Sequence, residues 1–425
     1  MLIEVLAKHP KIMNILLLNQ AFYPDVVSTA QHAADLARGL TQAGHKVTVV
    51  CSSRGYDDPH IRFPKRETWN DVNIIRIRSS GFGKGSKWRR AADFGTFMAS
   101  CALRLWQLHG FDVVVAMTSP PLISFLSSLA VPSRARNLVF WSMDLNPDEA
   151  IAAGWLREKS LTAQVLSAML SHSVKRASAV VALDRFMKDR IETKGIDSEK
   201  ILIVPPWAHD DLRFDPVGRE EFRKTNGLSN KFVVMYSGNH SPCHPLDTLL
   251  EAAEVLAERS DVAFCFVGGG SGFSNVQRRV QDLALRNVLC LPYQPLAKLS
   301  ASLSAADLHV VVMGDRYVGI VHPCKVYNVV AVGARLLYIG PTESHVGDII
   351  SQAGSGTYVA THGDSTTVVA NILRAMQTCD QVSPWPSRVR QAFSANVLIP
   401  QMISVIEEAN GNRIGDVRTF RNPRV

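Results

Sequence analysis

Apolar residues in the first half of the chain come in short runs separated by stretches of helical periodicity. The run Ile12 to Leu18 ends at Asn19. Beyond a polar loop, Ala30, Ala33, Leu36 and Leu40 recur at three- and four-residue spacing, which predicts a helix from about Thr29 to Ala43 that Gly44 stops. Lys46 to Cys51 reads as the next strand. A strand, a helix and a second strand in succession call for a parallel sheet. Further strands are predicted at 73–77, 112–116, 137–141, 179–183 and 201–204. Over Pro205 to Asn230 the composition turns polar, with a charged run from Arg219 to Lys224, and reads as an interdomain connection. The rhythm then restarts. A strand at Phe232 to Tyr236 leads into a loop from Gly238, a helix over Pro245 to Glu258 and a strand at Val262 to Val267. Weaker cycles follow at 288–291 and 308–312, with a helix at 325–332 and a strand at 336–339. The predicted fold class is α/β, with two Rossmann-like, doubly wound parallel-sheet domains. They span 1–212 and 231–391, with a linker at 213–230, a helix at 392–410 and a mobile tail at 411–425. Such sheets bind ligands beyond the carboxyl ends of their strands, so two facing halves put the ligand in an interdomain cleft.

With 46% hydrophobic and 20% charged residues, the chain can fill two cores. Seven cysteines, at 51, 101, 243, 265, 290, 324 and 379, are scattered without a CxxC pair, which predicts reduced thiols and a cytoplasmic protein. Met1 to Pro10 lacks the apolar core of a signal peptide, and no stretch is long and apolar enough to span a membrane. The net charge of +8 suits an anionic partner: a nucleotide-sugar, a phosphorylated lipid, a membrane surface or a nucleic acid. Nucleic acid is disfavoured, because the basic residues are dispersed and lack an interleaved aromatic set. One basic segment, Lys84, Lys87, Arg89 and Arg90, precedes a helical run containing Phe94, Phe97, Met98, Leu103, Leu105 and Trp106. It fits peripheral contact with anionic lipid at the inner face of a membrane, or simply a solvated helix start.

Candidate chemistry lies at the strand ends. Ser28 or Thr29 would cap the first helix and aim its amino end at the cleft. There is no GxGxxG, which argues against NAD. Ser119, before Pro120 and Pro121, sits in a rigid loop that serves either a ligand or a helix start. Asp144, Asp148 and Glu149 follow a strand; a carboxylate there can orient an acceptor hydroxyl or take its proton, while Asp148 and Glu149 also read as helix caps. In the second half, Gly238, Asn239 and His240, and then Gly268, Gly269 and Gly270, can bring backbone N–H groups to a diphosphate. Gly319 to Gly333 runs from a loop into an apolar helix, and Lys325 adds a cation to its free N–H groups, which makes a phosphate site. His322 has no second histidine or carboxylate at metal-ligand spacing, so no metal is predicted.

Taken in order, several motifs resemble those of glycosyltransferase family 4, the retaining GT-B enzymes. They are Phe22-Tyr23-Pro24-Asp25 with Gly44-His45-Lys46-Val47-Thr48-Val49, Thr118-Ser119-Pro120-Pro121, Asp144-Leu145-Asn146-Pro147-Asp148, Pro205-Pro206-Trp207-Ala208, Tyr236-Ser237-Gly238-Asn239, and Pro323-Cys324-Lys325 with Ala331-Val332-Gly333. The resemblance spans about 12–410 and is greatest to the branch acting in bacterial O-antigen and capsule assembly. It implies a nucleotide-sugar co-substrate, UDP-linked in the first instance, bound mainly by 231–391. It implies a glycan or polyprenyl-diphosphate-linked acceptor bound mainly by 1–212, and transfer with retention that needs no metal or other cofactor. It also implies that 392–410 returns to the first domain. Pro323 and Lys325 match the family's Pro-Ser-Lys, with Cys324 in the serine position, so Lys325 would stabilise the leaving diphosphate and Asp144 would position the acceptor. The chain departs from the family at two glutamates eight residues apart, which here read Ile320 and Asn328. Asn328 can still hydrogen-bond a donor ribose; Ile320 cannot replace a polar contact to the sugar. His244 stands near a common lysine, and Val27-Ser28-Thr29 replaces a glycine pair. Two alternatives stay open beside transfer: a degenerate binding subunit and a sugar-nucleotide epimerase.

Overall fold

The computed structural model describes residues 12–56, 58–83, 87–209, 211–378 and 383–411. The first domain holds strands β1 (Asn14–Leu18), β2 (Lys46–Ser52), β3 (Arg66–Trp69), β4 (Val72–Ile77), β5 (Phe111–Ala116), β6 (Ala135–Trp141), β7 (Ala179–Ala182) and β8 (Ile201–Ile203). Its helices are α1 (Ser28–Gln42), α2 (Lys87–Gln107), α3 (Ile123–Arg134), α4 (Asp148–Ala152), α5 (Leu161–Arg176) and α6 (Arg185–Glu192). The second domain holds α7 (Pro216–Thr225), β9 (Phe232–Asn239), α8 (Asp247–Val255), β10 (Val262–Gly269), α9 (Phe273–Asp282), β11 (Val288–Leu291), α10 (Leu299–Ser304), β12 (Leu308–Val312), α11 (Lys325–Val332), β13 (Leu336–Ile339), α12 (His345–Ile350), β14 (Thr357–Ala360) and α13 (Ser365–Gln377). Two helices close the described chain, α14 (Ser387–Ala392) and α15 (Ala395–Gly411).

The strand orders are β3-β4-β2-β1-β5-β6-β7-β8 and β11-β10-β9-β12-β13-β14. Both sheets are doubly wound, and their order reverses beside β1 and beside β9, where ligand crevices form in such folds. Central strands such as β1 and β12 are buried almost throughout, because helices cover both faces; this is why they read as unbroken apolar runs. The edge strand β3 has no such run. It pairs antiparallel with β4 through a two-residue turn, Asn70-Asp71, in which both residues have positive φ.

The segment expected as a linker is largely a helix of the second domain. Asp215 caps α7 by accepting from the Gly218 N–H at 2.9 Å. Arg219 and Arg223, one turn apart, both reach Asp307 ahead of β12, Arg219 at 2.6 Å. Two arginines of the run that read as a connection are therefore drawn inward by one half-buried carboxylate.

The chain crosses between domains twice, at adjacent places. Trp207 belongs to the first core and Ala208 to the second domain's cluster around α11. On the return, Phe393 touches both, and its carbonyl accepts from the Ala208 N–H at 3.1 Å. Leu398, Met402, Val405 and Ile406 of α15 then bury in the first core, and Glu407 takes a hydrogen bond from His45 at 3.0 Å. Among the described residues, no helix is long and apolar enough to cross a membrane, and the six described cysteines form no disulfide. Cys379, Met1 to Pro10, Lys84 and the tail after 411 lie outside the described residues.

Candidate active site

β9 and β10 run on past the points where the sequence suggested loops. Gly238 pairs with Gly268 within the parallel ladder, at φ +138° and +139° respectively, a backbone region that favours glycine. A Cβ on Gly268 would strike the Gly238 carbonyl oxygen, and one on Gly238 would strike the Lys325 side chain. The missing side chains leave a channel, and Lys325 fills it. Lys325 is the first residue of α11. Its ammonium donates to the Tyr236 hydroxyl at 2.6 Å and to the Asn239 carbonyl at 3.1 Å, and lies 4.6 Å from the Tyr236 ring centre. Burial lowers the lysine pKa to about 7. A cation thus sits at the amino end of a helix beside two converging strand ends, poised to gain its full charge when an anion approaches.

His240 is not a second cation. Its ring lies edge-on to Tyr236 and Phe273, its Nδ1 is 3.3 Å from the Gly269 carbonyl, and burial, followed by Lys325, lowers its pKa to about 4. The Nδ1 proton belongs on that carbonyl, which leaves the buried Nε2 as an acceptor without a protein partner. Gly269 faces Tyr293, and Gly270 packs against the Asn239 side chain. His244 is buried with Nδ1 2.8 Å from the Val312 carbonyl, so it does not take the place of a lysine.

Across from Lys325 stands the loop after β6. The Asp144 backbone forms an antiparallel bridge to Val321, and the Leu145 N–H donates to the Ile320 carbonyl at 3.0 Å. The Asp144 carboxyl is half-buried beside Glu149. Burial first, and the Glu149 charge second, raise its pKa to about 8, and burial raises Glu149 as well. Glu149 accepts from Asn146 at 2.9 Å and from the Cys243 thiol of the other domain at 3.8 Å. Two adjacent, partly desolvated carboxyls do not both ionise readily, so the pair keeps a proton near neutrality. The sequence offered Glu149 both as a strand-end carboxylate and as a helix cap. Its neighbours in space, Asp144 and the other domain's Cys243, make it a cleft residue. Asp148, expected on the acceptor side, pairs with Arg190 of α6 at 3.5 Å and with Lys194 in the turn after that helix at 2.8 Å.

A stability test follows from the Asp144–Glu149 pair. A carboxyl whose pKa is raised on folding stabilises the protein fully at pH below its unfolded value, near 4, and that contribution is lost as pH rises towards about 8. The wild-type melting temperature should therefore fall between pH 5 and 8, whereas Asp144→Asn should flatten that slope. Equal slopes would remove the proton from the pair.

Other predicted residues are arranged differently. Ser28 does not cap α1: the cap position is Val27, which makes no side-chain bond, and the Ser28 carbonyl binds His32 at 2.7 Å. Thr29 is half-buried in the first turn. The Ser28 hydroxyl lies beside the Cys324 thiol, which donates to the His322 carbonyl at 3.3 Å and whose pKa is pushed up to about 12 by burial. Cys324 is thus a neutral donor and not a nucleophile. The Ser119 carbonyl accepts from the Gln20 N–H at 2.6 Å, joining the loops after β1 and β5. Asn328 is half-buried on α11, and the Pro323 carbonyl accepts from His345.

Ile320 has a role that the sequence did not suggest. It is 2% exposed and packs into the first domain's core, pegging the two halves together. Beside it, Asp184 caps α6 through the Met187 N–H at 2.7 Å and holds His322 Nδ1 at 2.7 Å, while His322 Nε2 meets the Tyr327 hydroxyl at 2.6 Å. His345 stacks on His322 with ring centres 3.7 Å apart. Burial opposes ionisation of Asp184, but the hydrogen bond and charge from His322 outweigh it and hold the pKa at about 2. Asp184, His322 and His345 are close enough to share a metal ion, which linear spacing could not reveal. Both nitrogens of His322 are already engaged, so the trio acts as an interdomain latch. Arg185 extends it to Asp348 at 2.8 Å and Glu343 at 3.3 Å. The Asp after strand β7, in a helix-capping position, was the one local signal of this latch.

Comparison with known proteins agrees with this geometry. Residues 29–207 match a glycosyl transferase 4-like domain and residues 218–322 match the glycosyl transferases group 1 family. The chain is 23% identical over 388 residues to the Escherichia coli K12 protein named as the colanic acid biosynthesis glycosyl transferase WcaI, covering 86% of this chain and 92% of that one. It is 25% identical over 316 residues to the Pseudomonas aeruginosa protein named as the glycosyltransferase WbjE, covering 74% of each. Among solved structures, Anabaena HepE in complex with UDP and glucose superposes with a TM-score of 0.68 at 16% identity, covering 93% of this chain and all of that one. With both domain families matched in tandem on two doubly wound sheets that face each other across Lys325 and Asp144, the chain belongs to the family 4 glycosyltransferases of GT-B fold.

Proposed function

We propose that this glycosyltransferase moves a hexosyl group from a nucleotide diphosphate sugar, UDP-linked in the first instance, to a glycan acceptor carried on a polyprenyl diphosphate or another lipid. The reaction proceeds with retention, in the cytoplasm, in surface polysaccharide biosynthesis. The observation that carries this reading is Lys325, whose ammonium is held at the amino end of α11 over the Gly238–Gly268 strand ends. A diphosphate there meets one cation and the free N–H groups of a helix start, and the charge that develops as the bond to the sugar breaks falls on the same atoms. The leaving phosphate can itself take the acceptor proton, so no metal and no protein nucleophile is required. Asp144 and Glu149, opposite, orient sugar or acceptor hydroxyls. The name of WcaI supports the pathway, that of WbjE supports glycosyl transfer, and the UDP complex of HepE supports the donor class.

The test is a transfer and donor-hydrolysis assay over UDP-, GDP- and ADP-sugars, with lipid-linked glycans as acceptors. Turnover with a UDP-hexose and retention at the anomeric carbon are expected. Nucleotide binding without turnover on any acceptor would select a binding subunit instead, and a free epimerised sugar nucleotide formed without acceptor would select an epimerase.

A further inference from the structure

Helix α2 buries one side and leaves the other unpartnered. Phe97, Cys101 and Leu105 enter the first domain's core. At about 100° per residue, Trp88, Gly95, Ala99, Ala102, Leu103 and Trp106 fall within a single arc on the opposite side, and all are exposed. Trp88 is 61% exposed, Leu103 63% and Trp106 72%. No charge interrupts this stripe, which runs for about 27 Å between its two tryptophans. Phe82 joins the Trp88 end, with ring centres 5.7 Å apart. The single acid of α2, Asp93, is turned aside to the Ser80 hydroxyl and the N–H groups of Phe82 and Gly83.

Basic residues flank the stripe. Arg89 lies over the Trp88 ring. Between α2 and the β3–β4 edge is a pocket of about 390 Å³ whose lining includes Lys65, Arg66, Arg78, Arg104 and Leu103, and no carboxylate. Arg76 also lines it, but its guanidinium is tied to Glu67 at 2.6 Å. The other four cations are in no ion pair among the described residues. An uncharged, tryptophan-ended stripe flanked by cations is complementary to a bilayer with anionic headgroups, since tryptophan favours the headgroup level and arginine the phosphates. A second copy of the chain fits poorly there, because it would set the same cations against each other.

We propose that the outer face of α2 lies in the surface of an anionic bilayer, with the adjoining Arg66–Arg104 pocket taking a lipid phosphate headgroup. Because α2 starts from the carboxyl end of β4, its Trp88 end stands at the level of the cleft, and docking brings the cleft mouth to the membrane. This surface deepens the reading of a lipid-linked acceptor. It is tested separately, with no donor or acceptor present.

The experiment is flotation of the full chain with vesicles of phosphatidylcholine alone, or with about a third phosphatidylglycerol, at physiological salt. The wild type should float with the anionic vesicles only. Trp88→Ser/Trp106→Ser and Arg66→Glu/Arg104→Glu should each lower the bound fraction about tenfold or more at unchanged melting temperature. The charge-matched variant Arg278→Glu/Arg286→Glu, on exposed positions of the second domain, should bind as the wild type does. Equal flotation of all four proteins, no flotation of the wild type, or a wild-type dimer in sedimentation that both α2-face variants convert to monomer would each overturn the proposal. Loss of flotation with transfer activity intact in detergent would leave the enzymatic reading standing.

Discussion

Lys325→Ala should lower kcat/KM for the preferred donor by about 10²- to 10³-fold, the usual effect of removing one group that meets charge developing in a transition state. The variant should still fold. Tyr236 keeps its hydrogen bond to the Asn239 carbonyl at 2.7 Å, and α11 keeps its buried face of Val326, Tyr327, Val329 and Val330. A second readout separates a phosphate ligand from a merely structural lysine. With its pKa near 7 before binding and restored towards the ordinary lysine value beside a diphosphate, Lys325 should take up about one proton per UDP bound at pH 8. Calorimetry in buffers of different ionisation enthalpy measures that uptake, which should vanish in Lys325→Ala. Wild-type turnover by the variant, or the same proton uptake, would take Lys325 out of the donor site.

The second large effect is expected at Gly268. Gly268→Ala puts a methyl group against the Gly238 carbonyl oxygen while the backbone stays at φ +139°. Neither partner is a flexible side-chain end. Both lie in a ladder that continues through Val267–Ser237 and Gly269–Asn239. Strain and overpacking together should cost about 2–4 kcal/mol, visible as a lower denaturation midpoint. Spreading the two strand ends should also move Asn239 away from the Lys325 ammonium and weaken UDP binding. A variant as stable as the wild type, with unchanged UDP affinity, would mean that the close approach of β9 and β10 has no part in donor binding.

The parallel strands were legible because helices cover both of their faces, so apolar residues cannot alternate with polar ones. β1, β9 and β12 could be read in that way. β3 could not, since Arg66-Glu67-Thr68-Trp69 is an edge held by a turn and by its neighbour rather than by burial. α7 was misread because Arg219 and Arg223 look solvated until Asp307, more than eighty residues on, is brought beside them. The site divides along the same line. Lys325 and the glycines at 238 and 268 could be picked out from local backbone chemistry. The pairing of Asp144 with Glu149, and of Asp184 with His322, depends on burial and on partners distant in sequence. Ile320 marks the limit: against the family pattern it looks like a lost sugar ligand, yet in the fold it is core for the opposite domain.

The two crossings of the chain between domains are hydrogen-bonded to each other at Ala208 and Phe393. A single tether would let one half swivel freely over the other. Two tethers joined side by side act as a hinge pin, which permits swinging about one line and resists twisting. A cleft that opened would first part the Asp184–His322 latch and the Asp144–Val321 bridge and then swing about this one line, so registration of donor against acceptor is set by chain connectivity rather than found anew.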